Sequence, residues 1–188
     1  MTGQGKNAID IVLSESLKEL AQTRPIEKIT IKEITDKAGV IRPTFYNHFQ
    51  DKYELIEWII NTELLLPIVP LIKARMIGEA MVLLFTNLEK EKTFYQNAVK
   101  MEGVVKFHDI AMKCVKAMLW DIFEERSSGK KPKHVWLTSE VLSTYYAQSM
   151  CYAAEEWVKM GMTLTPQEMA EAYQYILSKN LEEILDEL

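Results

Sequence analysis

Apolar residues recur every three or four positions along almost the whole of this 188-residue chain. That spacing places them on one face of an α-helix, and no segment alternates apolar and polar residues between turn signals as a strand does. The chain is therefore predicted to be all-α. Composition divides it near residues 62 and 63, where an apolar run containing Pro67 and Pro70 is expected to break or kink a long helix.

The N-terminal part, residues 1–62, is predicted to hold a three-helix unit followed by the long helix. The first helix spans about residues 7–23. Thr30 and Glu33 have the spacing of a capping box, which starts a second, short helix. Gly39 can adopt the left-handed conformation that ends a helix, so the second helix has barely two turns.

A third short helix is predicted directly after this turn. Pro43 suits a first helical turn, and Phe45 and Phe49 lie one turn apart. Two short helices joined by a tight turn and braced by a first helix form a helix-turn-helix, whose second helix enters the DNA major groove.

Helical angles assign the faces of this third helix. If Phe45 and Phe49 face the core, Asn47 points directly away from it and can pair with an adenine edge. Pro43 shares this outer face but has no N–H to donate. Lys52, at the start of the next helix, is expected to hold a phosphate. The residues predicted to contact DNA are Thr30, Lys32, Arg42, Pro43, Thr44, Tyr46, Asn47, His48 and Lys52.

The identity of these residues adds a family resemblance. The segments that carry it are Ile29–Ile34, Ala38–Val40, Thr44–Phe49 and Lys52–Leu55. They resemble the DNA-binding domain of the TetR/AcrR family of transcriptional regulators over about residues 7–60. The family usually has Ser where Ile41 stands, as a helix cap, and often Gly where Pro43 stands. The resemblance implies an all-helical homodimer with a C-terminal effector domain, and two-fold symmetry implies a palindromic double-stranded operator.

The C-terminal part, residues 63–188, is predicted to bind an effector and to dimerise. Nine of the ten methionines lie beyond Pro67, together with many aromatic residues, which suits an adaptable apolar cavity. The predicted pocket residues are Phe85, Phe107, His108, Met112, Trp120, Tyr146 and Met150. Broad apolar faces on the last two long helices predict a four-helix dimer interface. Part of this region resembles the branch that includes regulators of dihydroxyacetone kinase operons, where a protein co-activator can replace a small ligand.

Net charge and cysteine content indicate the cellular compartment and the kind of nucleic-acid binding that this chain can have. The net charge of −5 argues against a whole-molecule polyanion binder, although residues 24–52 hold six basic and four acidic residues. Two cysteines without C-x-x-C spacing favour a reducing compartment. The N-terminal residues show no signal-peptide pattern, and the longest apolar run has nine residues against the roughly 20 of a membrane helix. We therefore expect a cytoplasmic protein without a membrane span.

Two other functions remain open from the sequence. His48, the pair His108 and Asp109, and Asp121 are ligand types of a helical metal-dependent phosphohydrolase. No G-x-S-x-G, H-E-x-x-H or P-loop motif accompanies them, so no enzyme activity, metal or cofactor is predicted. A helical adaptor that does not bind DNA is the second alternative, and it would show no salt-dependent DNA binding.

Overall fold

The computed structural model describes residues 8–127 and 134–187, and every regular segment in that part of the chain is helical. This confirms the all-α prediction. The expectation that the N-terminal residues carry no signal peptide concerns residues 1–7, which lie outside the described part. The elements are α1 (Ala8–Ala21), a 3₁₀ turn (Ile26–Lys28), α2 (Ile31–Ala38), α3 (Arg42–Tyr46), α4 (Lys52–Ile59), a π-helical segment (Ile60–Leu65), α5 (Leu66–Lys73), α6 (Ile77–Lys90), α7 (Lys92–Ala98), α8 (Phe107–Ser127), α9 (Ser139–Lys159), α10 (Pro166–Ser178) and α11 (Leu181–Leu185).

The helices α1, α2 and α3 pack with α4 around one small core. Leu13, Leu17, Ile34 and Phe45 are fully buried there. The predicted capping box at the start of α2 is confirmed, because the Thr30 N–H donates to Glu33 at 2.9 Å and the Glu33 N–H donates to Thr30 Oγ1 at 3.2 Å.

The turn between α2 and α3 depends on Gly39, which ends α2 with φ of 69°. Glycine adopts this left-handed conformation without the steric cost that a Cβ would bring. The third helix is shorter than predicted and ends at Tyr46. Beyond it the N–H groups of His48 and Phe49 both donate to the Phe45 carbonyl, at 2.9 and 2.8 Å, which forms a turn that returns Phe49 to the core.

The long helix does not break at its prolines, so the predicted break is wrong, while the kink stays a prediction. It runs continuously from Lys52 to Lys73 through the π segment and both prolines. Pro67 has no N–H to donate to the Glu63 carbonyl one turn earlier. That carbonyl instead accepts a 3.1 Å hydrogen bond from the Asn87 side chain on α6. The π segment and this side chain absorb the defect that proline introduces.

The C-terminal helices pack around this long helix. Helix α8 packs along α9, while α6 packs against α5 and α10. The buried core is continuous from α1 to α10. The predicted boundary between residues 1–62 and 63–188 falls inside the π segment, and the division into two domains stays a prediction. Within the described residues, Lys52–Lys73 is long and apolar enough to cross a bilayer, but half of its most apolar stretch is buried in the fold, as in a core helix.

Candidate nucleic-acid interface

Helix α3 presents an apolar face to the core and a polar face to solvent. Phe45 is fully buried, Phe49 is 5% exposed, and their ring centroids lie 5.8 Å apart. Tyr46 is 51% exposed, and Asn47 is exposed beside it. Asn47 follows the last helical residue but keeps a helical backbone, with its N–H donating to the Pro43 carbonyl at 3.1 Å. Asn47 is therefore exposed while Phe45 and Phe49 are buried, and its contact with DNA stays a prediction.

The start of α3 has no side-chain cap. Ile41 occupies the capping position and accepts no side-chain hydrogen bond, while Pro43 stands in the first turn as predicted. Arg42 and Pro43 are exposed, and Thr44 is half-buried. An Arg42 N–H donates to the Tyr46 hydroxyl at 3.4 Å, so these two side chains lie together on the outer face.

His48 is held in place by helix α1. Its Nδ1 lies 2.7 Å from Oδ1 of the buried Asp10, a pairing that the sequence did not indicate. A hydrogen bond at Nδ1 fixes the orientation of the ring and leaves Nε2 as the nitrogen for an outside partner. His48 therefore presents an oriented Nε2 at the edge of the α3 surface, which accepts a hydrogen bond when the ring is neutral.

Lys52 begins α4 as predicted, but its ammonium is bound by backbone carbonyls. Its ammonium donates to the carbonyls of Ile26, Glu27 and Ile29, at 2.9, 2.7 and 2.8 Å. These bonds use all three N–H donors, so none is left for a phosphate. Burial lowers the pKa of Lys52. The expected phosphate contact is thus replaced by a structural one, which ties the start of α4 to the 3₁₀ turn before α2.

At the start of α2, the polar groups of Thr30 are already hydrogen-bonded within the protein. The Thr30 hydroxyl donates to Glu33 at 2.8 Å within the capping box, and Glu33 additionally binds Arg24. The hydrogen bond from Arg24, followed by those from Thr30, lowers the pKa of Glu33 to about 2. Lys32 remains an exposed cation in the first turn of α2, 3.9 Å from Asp36. Backbone N–H groups of this first turn and the Lys32 ammonium are the groups free to meet a phosphate.

A cavity of about 50 Å³ lies in the C-terminal part. Of the seven predicted pocket residues, Phe107 and Met150 line it. The other lining residues, which the sequence did not single out, are Ile60, Leu64, Leu65, Leu84, Leu88, Tyr95, Val99, Ala111, Val115, Cys151, Ala154, Glu155 and Val158. Met150 is the one methionine in this wall.

The remaining predicted pocket residues lie elsewhere. Phe85 is fully buried but packs edge-on against Trp157, with ring centroids 5.2 Å apart. His108 is exposed, with its Nδ1 2.7 Å from Glu155 Oε1. The others are half-buried or exposed outside the cavity, namely Met112, Trp120 and Tyr146. Helical spacing identifies an apolar stripe, but which part of a stripe faces a cavity depends on neighbours distant in sequence.

A buried lysine is the main feature that sequence reasoning missed. Lys18 is a charged residue on α1, yet it is only 3% exposed. Its ammonium lies 2.6 Å from Glu15, 3.1 Å from both carboxylate oxygens of Glu63, and 3.1 Å from Glu91. We call these four residues the Lys18 cluster. Glu15 lies one turn away on α1, but Glu63 lies in the π segment and Glu91 before α7, so no local pattern could have revealed the burial of Lys18.

The groups considered for metal binding are separate in the structure. His48 pairs with Asp10, while His108 pairs with Glu155. Residues 8–127 and 134–187 contain no group of three or more His, Cys, Asp or Glu side chains that could hold a metal ion. The residues named for the phosphohydrolase alternative are therefore not brought together in this part of the chain.

Solved structures of bacterial regulators share this fold. The dihydroxyacetone kinase operon activator DhaS has a TM-score of 0.57 with 19% identity, covering 90% of this chain and 94% of its own. NalD, the secondary repressor of the MexAB-OprM multidrug efflux pump in Pseudomonas aeruginosa, has a TM-score of 0.60 with 16% identity, covering 88% and 92%. Bacillus halodurans FadR, a fatty acid degradation regulator, has a TM-score of 0.60 with 14% identity, covering 95% and 98%.

Sequence comparison agrees with the fold. The dhaKLM operon transcriptional activator DhaS of Lactococcus lactis subsp. lactis (strain IL1403) is 24% identical over 164 residues, covering 81% of each chain. The family model described as "Bacterial regulatory proteins, tetR family" matches residues 15–59, and every residue predicted to contact DNA lies in this range. A second family model, described as "Transcriptional regulator C-terminal region", matches residues 77–179, which is more than half of the chain. The chain therefore belongs to the TetR family of bacterial transcriptional regulators, which are DNA-binding proteins and not enzymes.

Proposed function

We propose that two copies of this chain bind one palindromic DNA operator, each with α3 in a major groove, and that an effector bound to the C-terminal part controls the binding. Regulators of this family bind operators as dimers. The observation that carries the proposal for this chain is the geometry of α3. Its outer face exposes Arg42, Tyr46 and Asn47 beside one another, while Phe45 fixes its inner face in the core.

The exposed groups divide into two roles by their chemistry. Asn47 can donate to and accept from one adenine edge, which makes it the candidate for sequence recognition. Arg42 and Tyr46 offer donors at the flanks of α3, which suit phosphate oxygens, and His48 presents its Nε2 beside them. The Lys32 ammonium and the backbone N–H groups of the first turn supply the start of α2 as a further phosphate site. Pro43 and the half-buried Thr44 can add apolar contacts in the groove but little polar recognition.

The dimer interface is proposed on α9 and α10. Both helices expose large apolar side chains on the surface of the single chain, namely Tyr145, Tyr146, Tyr152, Tyr175, Ile176 and Leu177. Ile176 is 60% exposed. Apolar surface of this extent is typical of an interface, and a second copy would bury it in the four-helix arrangement predicted from the sequence.

The effector is limited by the size and charge of the cavity. At the roughly 10–15 Å³ that one water needs, the cavity of about 50 Å³ holds about three to five atoms. Pockets for drug-sized ligands measure about 300–1,000 Å³. Glu155 is the one charged residue in the wall, which disfavours an anion. These features support either a small uncharged apolar ligand or a protein effector that binds outside the cavity. Because the operator is bacterial DNA, we expect either effector to bind the regulator in the cytoplasm.

The test of this proposal is a selection of DNA by the purified protein. Random duplexes retained at moderate salt should converge on a palindrome whose half-site centres lie about 10 base pairs, roughly 34 Å, apart or at a multiple of that distance. Addition of the effector should change the retention of this palindrome. Retention of random sequences alone would contradict a specific regulator, and no retention at any salt concentration would favour the adaptor alternative.

A further inference from the structure

We propose that Tyr95 and the Lys18 cluster couple the cavity to the DNA-binding surface. In this proposal, which rests on the cavity being the effector site, a filled cavity displaces the Tyr95 ring so that its hydroxyl binds Glu63 or Glu91. The hydroxyl then competes with the Lys18 ammonium for these carboxylates and loosens α1 from the C-terminal part.

The Lys18 cluster is one of the links between the two parts of the chain, beside the hydrogen bond of 2.7 Å that the Asn97 side chain on α7 donates to the Ala21 carbonyl on α1. Lys18 belongs to α1, while Glu63 belongs to the π segment and Glu91 stands between α6 and α7. The ammonium contacts both acidic residues at 3.1 Å, and each carboxylate is at least two-thirds shielded from solvent. Ion pairs that are shielded in this way respond strongly to the loss or arrival of one hydrogen-bonding partner.

Tyr95 lines the cavity and lies within the influence of two charges of this cluster, those of Glu63 and Glu91. Tyr95 contributes to the cavity wall together with Leu64, the residue next to Glu63. Tyr95 also lies one helical turn after Glu91, with its N–H donating to the Glu91 carbonyl at 3.1 Å. Burial, and then the charges of Glu63 and Glu91, raise the pKa of Tyr95, so its hydroxyl keeps the proton that it can donate.

The Tyr95 hydroxyl is the one buried side-chain polar atom without a hydrogen-bond partner among the described residues. An unpaired buried donor is costly, and its presence calls for a physical explanation. Acceptors are in excess nearby, since three carboxylates surround one ammonium. The proposal assigns this hydroxyl a second arrangement, in which the displaced ring pairs it with one of these carboxylates.

Helix α1 carries the effect to the DNA-binding surface. Lys18 and Asp10 lie on the same helix, eight residues and about 12 Å apart at 1.5 Å per residue. Asp10 holds His48 at 2.7 Å, and His48 flanks the outer face of α3. A shift of α1 would move Asp10 and thereby the orientation of His48 relative to DNA. Lys18 and Tyr95 are thus positioning residues, which act on DNA binding through other groups.

A cavity-filling substitution replaces the unidentified effector in the test. Ala111→Leu adds three carbons to the wall of the cavity, and Tyr95→Phe removes the hydroxyl but keeps the ring. Operator affinity is measured for the wild type, both single variants and the double variant, after thermal unfolding has shown that each is folded. The imidazole NMR signal of His48, one of only three histidines, gives a second readout that needs no DNA.

The proposal predicts that Ala111→Leu changes operator affinity by at least about 5-fold and shifts the His48 signal. Tyr95→Phe should bind with wild-type affinity, and the double variant should match Tyr95→Phe in both readouts. If the effect of Ala111→Leu persists without the hydroxyl, or if the folded variant leaves both readouts unchanged, the proposal is overturned. Ala154→Leu fills the cavity from α9 and replaces Ala111→Leu if that variant does not fold.

The two readouts separate this proposal from the proposed function. If the wild type selects no operator, the proposed function fails, but the His48 signal still decides whether the cavity is coupled to α3 through Tyr95. If an operator is selected and the Tyr95-dependent effects are missing, the proposed function stands and the coupling is wrong.

Discussion

Lys52→Met should destabilise the fold while leaving the salt dependence of DNA binding unchanged. The variant removes three hydrogen bonds of 2.7–2.9 Å from an ammonium to backbone carbonyls. Hydrogen bonds from charged groups contribute about 1.5–3 kcal/mol each when buried. Water can replace part of this at the half-buried Lys52, so we expect a loss of about 2–4 kcal/mol in all. With a urea m-value of about 2–3 kcal/mol per molar, the unfolding midpoint should fall by about 1 M.

Lys32→Met provides the matched control, because Lys32 is an exposed cation 20 residues earlier in the same unit. Its unfolding free energy should stay within about 0.5 kcal/mol of the wild type. In a dimer the variant removes two phosphate contacts, so the slope of log K against log salt should decrease in magnitude by about 1.8. Urea unfolding and anisotropy titrations at several salt concentrations measure both quantities. A reduced salt slope for Lys52→Met together with an unchanged urea midpoint would refute the assignment of Lys52 as a structural residue.

Three further predictions follow from burial, hydrogen bonding and surface exposure. Burial raises the pKa values of Cys114 and Cys151 to about 12, so iodoacetamide at pH 7.5 should label neither thiol in the native protein and both in urea; rapid native labelling would contradict the buried positions. The pKa of Glu33 is lowered to about 2, so its stabilising effect should be complete above its ordinary value of 4.5 and lost as the pH falls toward 2. The difference in unfolding midpoint between wild type and Glu33→Gln should therefore shrink between pH 7 and pH 3, and a constant difference would argue against the hydrogen bonds to Arg24 and Thr30. Ile176→Glu should convert the dimer to a monomer in light scattering, whereas the exposed Leu185→Glu on α11 serves as its surface control; a dimeric Ile176→Glu protein would exclude this part of α10 from the interface.

Local signals in the sequence were sufficient for much of the N-terminal unit. The capping box of Thr30 and Glu33, the left-handed Gly39 and the inward face of Phe45 and Phe49 were predicted and are present. Each of these features depends on residues within about one or two helical turns. Short-range hydrogen bonding and helical periodicity decide such features before any tertiary contact forms.

The errors all involve partners distant in sequence. Lys52 binds carbonyls 23 to 26 residues away, and Lys18 binds carboxylates 45 and 73 residues away. Amphipathic patterns assign charged residues to solvent by default, because burying a charge is costly unless specific partners compensate it. The sequence contains those partners, but only the packing of α1 and α4 against their neighbours brings them into contact.

The effect of proline on the long helix also depends on a partner distant in sequence. Pro67 predicts a break, since it removes a hydrogen bond and crowds the preceding turn. The Asn87 side chain satisfies the Glu63 carbonyl that Pro67 leaves unpaired, and the helix continues. A proline rule that considers one segment alone cannot include a hydrogen bond supplied by α6. The same reason explains why most of the cavity wall was not predicted.

The most direct test of the proposed DNA recognition is the affinity of Asn47→Ala for the selected operator and for a scrambled duplex of the same length. Removal of a side chain that pairs with a base edge should cost about 1–3 kcal/mol per half-site on the operator and little on the scrambled duplex. The salt slope should stay that of the wild type, because no phosphate contact is lost. Equal losses on both duplexes would contradict the assignment of Asn47 to the groove and, with it, the outer face of α3 as the surface that recognises sequence.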